Sequence, residues 1–221
     1  MPIFSLQEKV MKVVPFIYDS YDDLISNTYI LIDEDNNCVV IDPGCHNDGI
    51  VKYIKKNNLA LKAILLTHGH FDHMRGVDIL EKEFKVPLYI GFFDLDNLTN
   101  EHLNCSEYFS DGHVKLSTPG IGVSDGETID VLKEKIIVIE TPFHTSGSVC
   151  YYLKDSGLLF SGDTLFKESI GRTDLPGSKP KEVPTSLRKL AKLDDSVKVY
   201  PGHGSFTTIK NERLSNPFVK I

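Results

Sequence analysis

Leu65-Leu66-Thr67-His68-Gly69-His70-Phe71-Asp72-His73 is the stretch on which the reading of this chain turns. On a helix, residues two apart point about 200° apart, whereas in extended backbone they face the same side. His68 and His70 can therefore share one ion only if the segment leaves the preceding strand as a loop. Gly69 gives the backbone freedom for that loop, and Asp72 with His73 then turns toward a neighbouring position. Four potential ligands in six residues exceed what one tetrahedral ion with an open position accepts, so the spacing predicts two ions. Chance crowding is a poor account, because three of the chain's eight histidines fall in this window.

Outward from this loop, hydrophobic periodicity supplies a frame. Leu61 to Leu66 reads as a buried strand, preceded by helical spacing from Asn47 to Asn57. Thr28 to Ile32 and Cys38 to Ile41 are β-branched runs around a polar turn, which predicts a hairpin ended by Asp42-Pro43-Gly44. Strand-like writing begins with Met11 to Phe16. A helix over Val77 to Phe84 and a strand at Pro87 to Ile90 follow the histidine loop, and the polar stretch Phe92 to Val114 reads as loop with short helices. After Gly126 the pattern predicts strands at Thr128 to Leu132, Ile136 to Glu140, Ser148 to Leu153 and Leu158 to Ser161. Two helix-compatible segments and a short strand at Val197 to Tyr200 complete the chain. Hairpin-paired strands interrupted by helices predict a sheet sandwich with helices packed outside.

Composition bounds the function classes. At 221 residues the chain suits one sizeable domain better than two, with residues 1–10 read as an N-terminal extension and 11–221 as the domain. Hydrophobic residues at 41% and charged residues at 25% exclude a disordered or fibrous chain. A net charge of −7 is the wrong sign for affinity that depends on neutralising phosphates, so no nucleic-acid partner is expected. MPIFSLQEKV carries no signal-peptide core and no segment is apolar enough to span a bilayer, so the expectation is a cytoplasmic protein without a membrane partner. Cys38, Cys45, Cys105 and Cys150 show no C-x-x-C spacing and read as reduced thiols.

Three further residues stand where strands end in Gly or Pro turns, the usual place for a scaffold to present functional loops: His144, Asp163 and His203. Alone, each reads as a turn or cap residue. Together, after the histidine loop, they form a ligand set. His46, His102 and His113 lie in polar stretches with no ligand-like neighbours and read as surface histidines.

The ordered motifs resemble the metallo-β-lactamase superfamily, and within it the glyoxalase II (hydroxyacylglutathione hydrolase) branch in its short form. They are N-T-Y-I-L at 27–31, D-P-G at 42–44, T-H-G-H-F-D-H at 67–73, H-T-S-G-S at 144–148, G-D-T-L-F at 162–166, G-R-T-D-L-P at 171–176 and P-G-H-G at 201–204. The resemblance implies an α+β fold, an αββα sandwich with the active site at one edge of the two sheets. It implies a first metal on His68, His70 and His144, a second on Asp72, His73 and His203, and Asp163 bridging both. Imidazole and carboxylate without thiolate suit two divalent ions, zinc foremost, with iron or manganese as alternatives. Asp42 reads either as a carboxylate orienting a ligand histidine or as a turn and cap residue.

The activity implied is hydrolysis of a small-molecule substrate, a 2-hydroxyacyl thioester such as S-D-lactoylglutathione, by a metal-bridging hydroxide that Asp72 orients. Alternatives are a mononuclear iron persulfide dioxygenase and a hydrolase of another ester, lactone or lactam. Phe143 replaces a glycine of the family's T-P-G-H-T segment and is expected to line the substrate entrance. Lys167 and Arg172 are expected to anchor a substrate carboxylate or to form surface ion pairs. Residues 205–221 are fewer than the helical domain that supplies glutathione contacts in long members, so loose recognition of the thiol carrier is expected. Nothing in the sequence sets the oligomeric state.

Overall fold

A computed structural model describes residues 11–17, 25–46, 48–108 and 113–219. The proposed extension over 1–10 lies outside them. Six strands form the first sheet in sequential order: β1 Lys12–Phe16, β2 Thr28–Ile32, β3 Asn37–Ile41, β4 Ala60–Leu66, β5 Leu88–Gly91 and β6 Gly120–Val123. The second sheet contains β7 Thr128–Ile129, β8 Ile136–Glu140, β9 Val149–Leu153 and β10 Leu158–Gly162. A two-stranded ribbon, β11 Leu165–Phe166 with β12 Ser169–Ile170, then leaves it before β13 Lys198–Pro201 and β14 Thr207–Thr208 complete the order 14-13-10-9-8-7. Helices α1 Gly49–Lys56, α2 Phe71–Met74, α3 Val77–Phe84, α4 Val183–Ala191 and α5 Ile209–Ser215 connect them.

The period of two along each strand sorts the side chains into three apolar layers. Tyr29, Leu31, Val39, Ile41 and Leu65 of the first sheet meet Tyr151, Leu153, Leu158 and Phe160 of the second between the sheets. Their neighbours Ile30, Ile32, Val40, Ile64 and Leu66 face outward under Ile50 and Ile54 of α1 and Val77 and Leu80 of α3. On the far side Cys150, Tyr152, Leu159 and Val199 lie under Leu187 and Leu190 of α4 and Ile209 of α5. Strands buried on both faces read as continuous apolar runs, as β2 and β9 do. The architecture is the αββα sandwich.

Strand direction gathers the loops that matter. β3 and β4 are parallel with Ile41 opposite Leu65, and β10 and β13 are parallel with Gly162 opposite Pro201. β8 is antiparallel to β9, which is antiparallel to β10, so β8 also ends at the same edge. Asp42, His68, His144, Asp163 and His203 each follow one of these ends.

Three departures from the sequence reading have physical causes. β6 is missing from that reading because Gly120 and Gly122 look like turn residues. In the fold they make room for the 3₁₀ segment Phe92–Leu98: a Cβ on Gly120 would lie 2.8 Å from Leu98 Cδ1, and one on Gly122 would lie 2.9 Å from Phe92 Cδ2. The predicted strand from Thr128 to Leu132 shortens to two residues, and the two-residue strands of the ribbon and β14 are too brief to leave a period. Among the described residues no helix is long and apolar enough to cross a membrane.

Asp78 on α3 ties this helix to the segment entering β6. Its Oδ2 accepts from the Ser117 N–H and hydroxyl, each at 3.0 Å, and its Oδ1 accepts from the Thr118 N–H at 3.0 Å and hydroxyl at 2.6 Å. Asp78→Ala is expected to lower stability by about 2 kcal/mol, as loss of bonds to a charged acceptor does. A urea titration checks it, with a lower midpoint and unchanged slope expected.

Candidate metal centre

At the shared edge the chain brings seven ligand-type side chains together: His68, His70, Asp72, His73, His144, Asp163 and His203. They fall into overlapping groups, His68–His70–His144, His68–His73–Asp163 and Asp72–His73–His203, each with donor atoms within 4.8 Å of one another. In the first group, His70 Nδ1 lies 3.1 Å from His68 Nε2 and 2.9 Å from His144 Nε2. Tetrahedral coordination at 2.0–2.1 Å would place nitrogens roughly 3.3 Å apart, so this spacing suits one ion. In the third group, Asp72 Oδ2 lies 3.1 Å from His203 Nε2 and 3.7 Å from His73 Nε2. Asp163 stands between the two: Oδ1 is 3.4 Å from His73 Nε2 and Oδ2 is 3.4 Å from His144 Nε2.

Local chemistry orients each ring. His144 Nδ1 donates to the Arg172 carbonyl at 2.8 Å, which leaves Nε2 facing inward. The His68 Nδ1 lies 3.2 Å from Thr67 Oγ1, which in turn donates to Asp42 Oδ2 at 2.7 Å. The same Asp42 oxygen is 3.0 Å from His73 Nδ1, and Oδ1 accepts from the Thr67 N–H at 2.8 Å. Of the two readings open for Asp42, the structure therefore supports the orienting one. Its backbone sits at φ 50°, a left-handed conformation that costs a non-glycine residue about 1–2 kcal/mol. The Thr28 hydroxyl at 2.6 Å and the Gly44 N–H at 2.8 Å hold its carbonyl there.

The electrostatics fit cations. Burial and the neighbouring histidines hold His68 well below the ordinary histidine range, and burial with His144 brings His70 down to about 3. Both rings are thus neutral, with lone pairs to offer. Burial would raise Asp72, yet His73 and His203 outweigh it and hold the carboxyl down to about 2. Burial also opposes charge on His73, but Asp42, Asp72 and Asp163 outweigh it and push the ring above its usual range. This second half of the site attracts positive charge. His73 Nε2 and Asp163 Oδ1 are buried without hydrogen-bond partners among the described residues, as atoms reserved for another ligand would be.

The family profile of the metallo-beta-lactamase superfamily matches residues 21–203. The chain belongs to that superfamily. With the His and Asp cluster described above, it is a metal-dependent hydrolase of that superfamily. The probable metallo-hydrolase YqgX of Bacillus subtilis is 36% identical over 196 residues, spanning 88% of this chain and 92% of its own. The hydroxyacylglutathione hydrolase GloC of Haemophilus influenzae is 32% identical over 196 residues, spanning 87% and 92%. Among solved structures, the BLEG-1 B3 metallo-beta-lactamase superposes with a TM-score of 0.86 at 33% identity, over 95% of this chain and 99% of that one. TTHA1623 in a di-iron-bound form superposes with a TM-score of 0.82 at 32% identity, over 93% and 99%.

The three expected substrate residues fare differently. Phe143 is fully buried in the outer layer with Leu159, Leu187 and Leu190, so the expectation that it lines the entrance is corrected: the ring turns away from the site to pack under α4. Lys167 is exposed and lies outside the cavity lining. Arg172 does line the cavity, but its guanidinium forms a bidentate pair with Asp174 at 2.7 and 2.8 Å. The backbone of the 171–172 turn serves the site more directly, because the Arg172 carbonyl fixes His144 and Gly171 leaves no space for a Cβ, which would lie 2.0 Å from the Asp163 carbonyl. Asn27, the first residue of the N-T-Y-I-L motif, is a further residue that serves the site. Its amide donates to the Pro201 and Gly204 carbonyls at 3.1 and 3.0 Å and holds the His203 loop. His46, His102 and His113 lie on the surface, as read from the sequence.

Asp163→Ala is expected to lower both metal content and activity, read by elemental analysis beside initial rates. Retention of full metal content and rate would remove Asp163 from the site. Gly202→Ala is expected to act in the same direction without deleting a ligand, by about tenfold or more in metal affinity. Its Cβ would lie 2.3 Å from Asp163 Oδ1 and 2.6 Å from His73 Cε1, and a metal titration of the variant reads the effect.

Proposed function

We propose that this metal-dependent hydrolase cleaves small 2-hydroxyacyl thioesters, S-D-lactoylglutathione among them, using two divalent cations, with zinc as the first choice and iron next. The observation that carries this reading is the cavity of about 320 Å³ above the ligand groups. His70, Asp72, His144, Asp163 and His203 form its floor and Phe71, Cys105, Phe166 and Leu175 its walls. A volume near 300 Å³ is at the small end for ligand pockets and suits an acyl group with its thioester sulfur better than a whole carrier. The likeness to GloC supports the acyl class, and the likeness to a protein seen in a di-iron form supports two ions and keeps iron in consideration.

When bound, two divalent cations supply a hydroxide at neutral pH and polarise the acyl carbonyl. The chain's own residues do the rest. Asp72, ionised throughout the neutral range, accepts a hydrogen bond from the attacking water and aims it at the carbonyl carbon. Its neighbour Asp163 and the fixed rings of His68 and His144 keep the floor rigid, so little reorganisation accompanies the charge that develops on the carbonyl oxygen. Phe71, Phe166 and Leu175 exclude bulk water around the ester. Burial pushes the Cys105 thiol up to about 11, so it stays neutral and adds to the apolar wall. A leaving thiolate with a pKa of about 8.5 departs without a proton donor.

Carrier recognition is loose in this reading. Arg172 is the only Lys or Arg lining the cavity among the described residues, and Asp174 already occupies it. For one acyl group carried on glutathione, coenzyme A and a minimal thiol, kcat/KM values are expected to agree within about a hundredfold, roughly 2.7 kcal/mol of transition-state binding. A larger preference for glutathione contradicts loose recognition. Absence of hydrolysis on every carrier, with oxygen uptake on glutathione persulfide, replaces the thioesterase by a persulfide dioxygenase.

A further inference from the structure

We infer that Asp94 is a positioning residue that locks the His68–His70 loop to the His144 loop and thereby sets the spacing of the three-histidine group. Asp94 follows β5 in the Phe92–Leu98 turn and is fully buried. Its Oδ2 accepts from the Gly69 N–H at 2.9 Å and from the Thr145 hydroxyl at 2.6 Å, while Oδ1 accepts from the Gly147 N–H at 2.6 Å. Gly69 lies between His68 and His70, and Thr145 is next to His144. One carboxylate therefore grips the two loops that carry the group, one from each sheet. His70 Nδ1 and His144 Nε2, 2.9 Å apart, face each other across the seam that it closes.

Close backbone packing supports the same seam, beside the Val149 N–H bond to the Thr67 carbonyl at 2.8 Å. A Cβ on Gly69 would lie 2.4 Å from Asn97 Cβ, one on Gly147 would lie 2.4 Å from the Asp94 nitrogen, and one on Gly91 would lie 1.9 Å from the Gly147 carbonyl oxygen. Both loops thus press their backbones onto the 91–97 turn. Three donors point at the carboxylate, two of them backbone N–H groups, and an acceptor-only side chain is what such a cluster requires. Asparagine has the same shape but carries an NH₂, so one of its two positions would turn donors toward donors. Burying a carboxylate is costly, and a fold that only needed the space filled would use an apolar residue. The carboxylate sits where the two loops of the three-histidine group meet.

This inference rests on the reading of His68, His70 and His144 as metal ligands and is independent of the substrate. The test compares the metal-stripped full-length protein with its Asp94→Asn and Thr145→Val variants. Zinc is titrated against a competing chelator, cobalt(II) serves as a spectroscopic probe, and urea midpoints and circular dichroism report folding. The unaltered protein is expected to take two equivalents. Asp94→Asn is expected to keep its affinity for one equivalent and lose about 10- to 100-fold for the other, with altered cobalt d–d bands. Thr145→Val, which leaves Asp94 and both N–H partners in place, is expected to shift the same equivalent by a smaller factor and carries the test if Asp94→Asn does not fold. A lowered urea midpoint with both affinities and the cobalt spectrum unchanged would show Asp94 to be merely structural and overturn the proposal. An unaltered protein that binds no divalent metal would fell the ligand reading and this inference together, which separates the two failures.

Discussion

Burying several imidazoles and carboxylates within hydrogen-bonding distance of one another is the constraint on which the rest of this structure depends. Each imidazole taken from water loses its hydration, and each carboxylate does so at greater cost. His68 and His70 respond by staying neutral, while His73 is driven toward charge by three carboxylates around it. Neither half of the centre is at ease with itself. Divalent cations accept the neutral lone pairs of one half and balance the carboxylates of the other, which is why the arrangement belongs to a metal-dependent hydrolase.

The fold meets this constraint by geometry. Strands β3, β4, β8, β10 and β13 end at one edge, so loops distant in sequence converge without long excursions. Parallel pairing of β3 with β4 places Asp42 beside Thr67, and parallel pairing of β10 with β13 places Asp163 beside Gly202. Glycines at 171 and 202 let these loops touch backbone to ligand. Outside this layer, Asp42, Asp94 and Asn27 hold the loops through hydrogen bonds to backbone groups, so rigidity comes from side chains that do not themselves face the cavity.

The cavity above the centre is apolar where the floor is polar. Phe71 belongs to the same loop as the ligands and takes the Arg75 guanidinium 4.7 Å over its ring, so one wall of the pocket is built from the ligand segment itself. Phe166 comes from the β11–β12 ribbon. Glu212 of α5 secures that ribbon by accepting from the Glu168 N–H at 2.8 Å, and the Asn216 amide reaches the Ser169 carbonyl at 3.0 Å. Pocket shape is therefore coupled to the last helix, at a distance from the chemistry.

The sequence by itself determined the chemistry and the layers. His68 and His70 were legible as a pair because their spacing excludes a helix between them, and the near-continuous apolar runs of β2, β4 and β9 marked buried strands. Tertiary structure alone decided which way the remaining side chains turn. Phe143 looks like a pocket residue beside His144, yet α4 offers it an apolar layer, and burial there wins over proximity in sequence. Arg172 reads as a side-chain anchor or a surface ion pair; its guanidinium pairs with Asp174, and its carbonyl is what fixes His144. Gly120 and Gly122 give no strand signal in the sequence, and their place in β6 shows only where the 92–98 segment packs over them. Asp94 left no local signal, because its partners lie 25 and 53 residues away. Short-range spacing is written in the chain, but a hydrogen bond across two loops exists only once both sheets have brought those loops together.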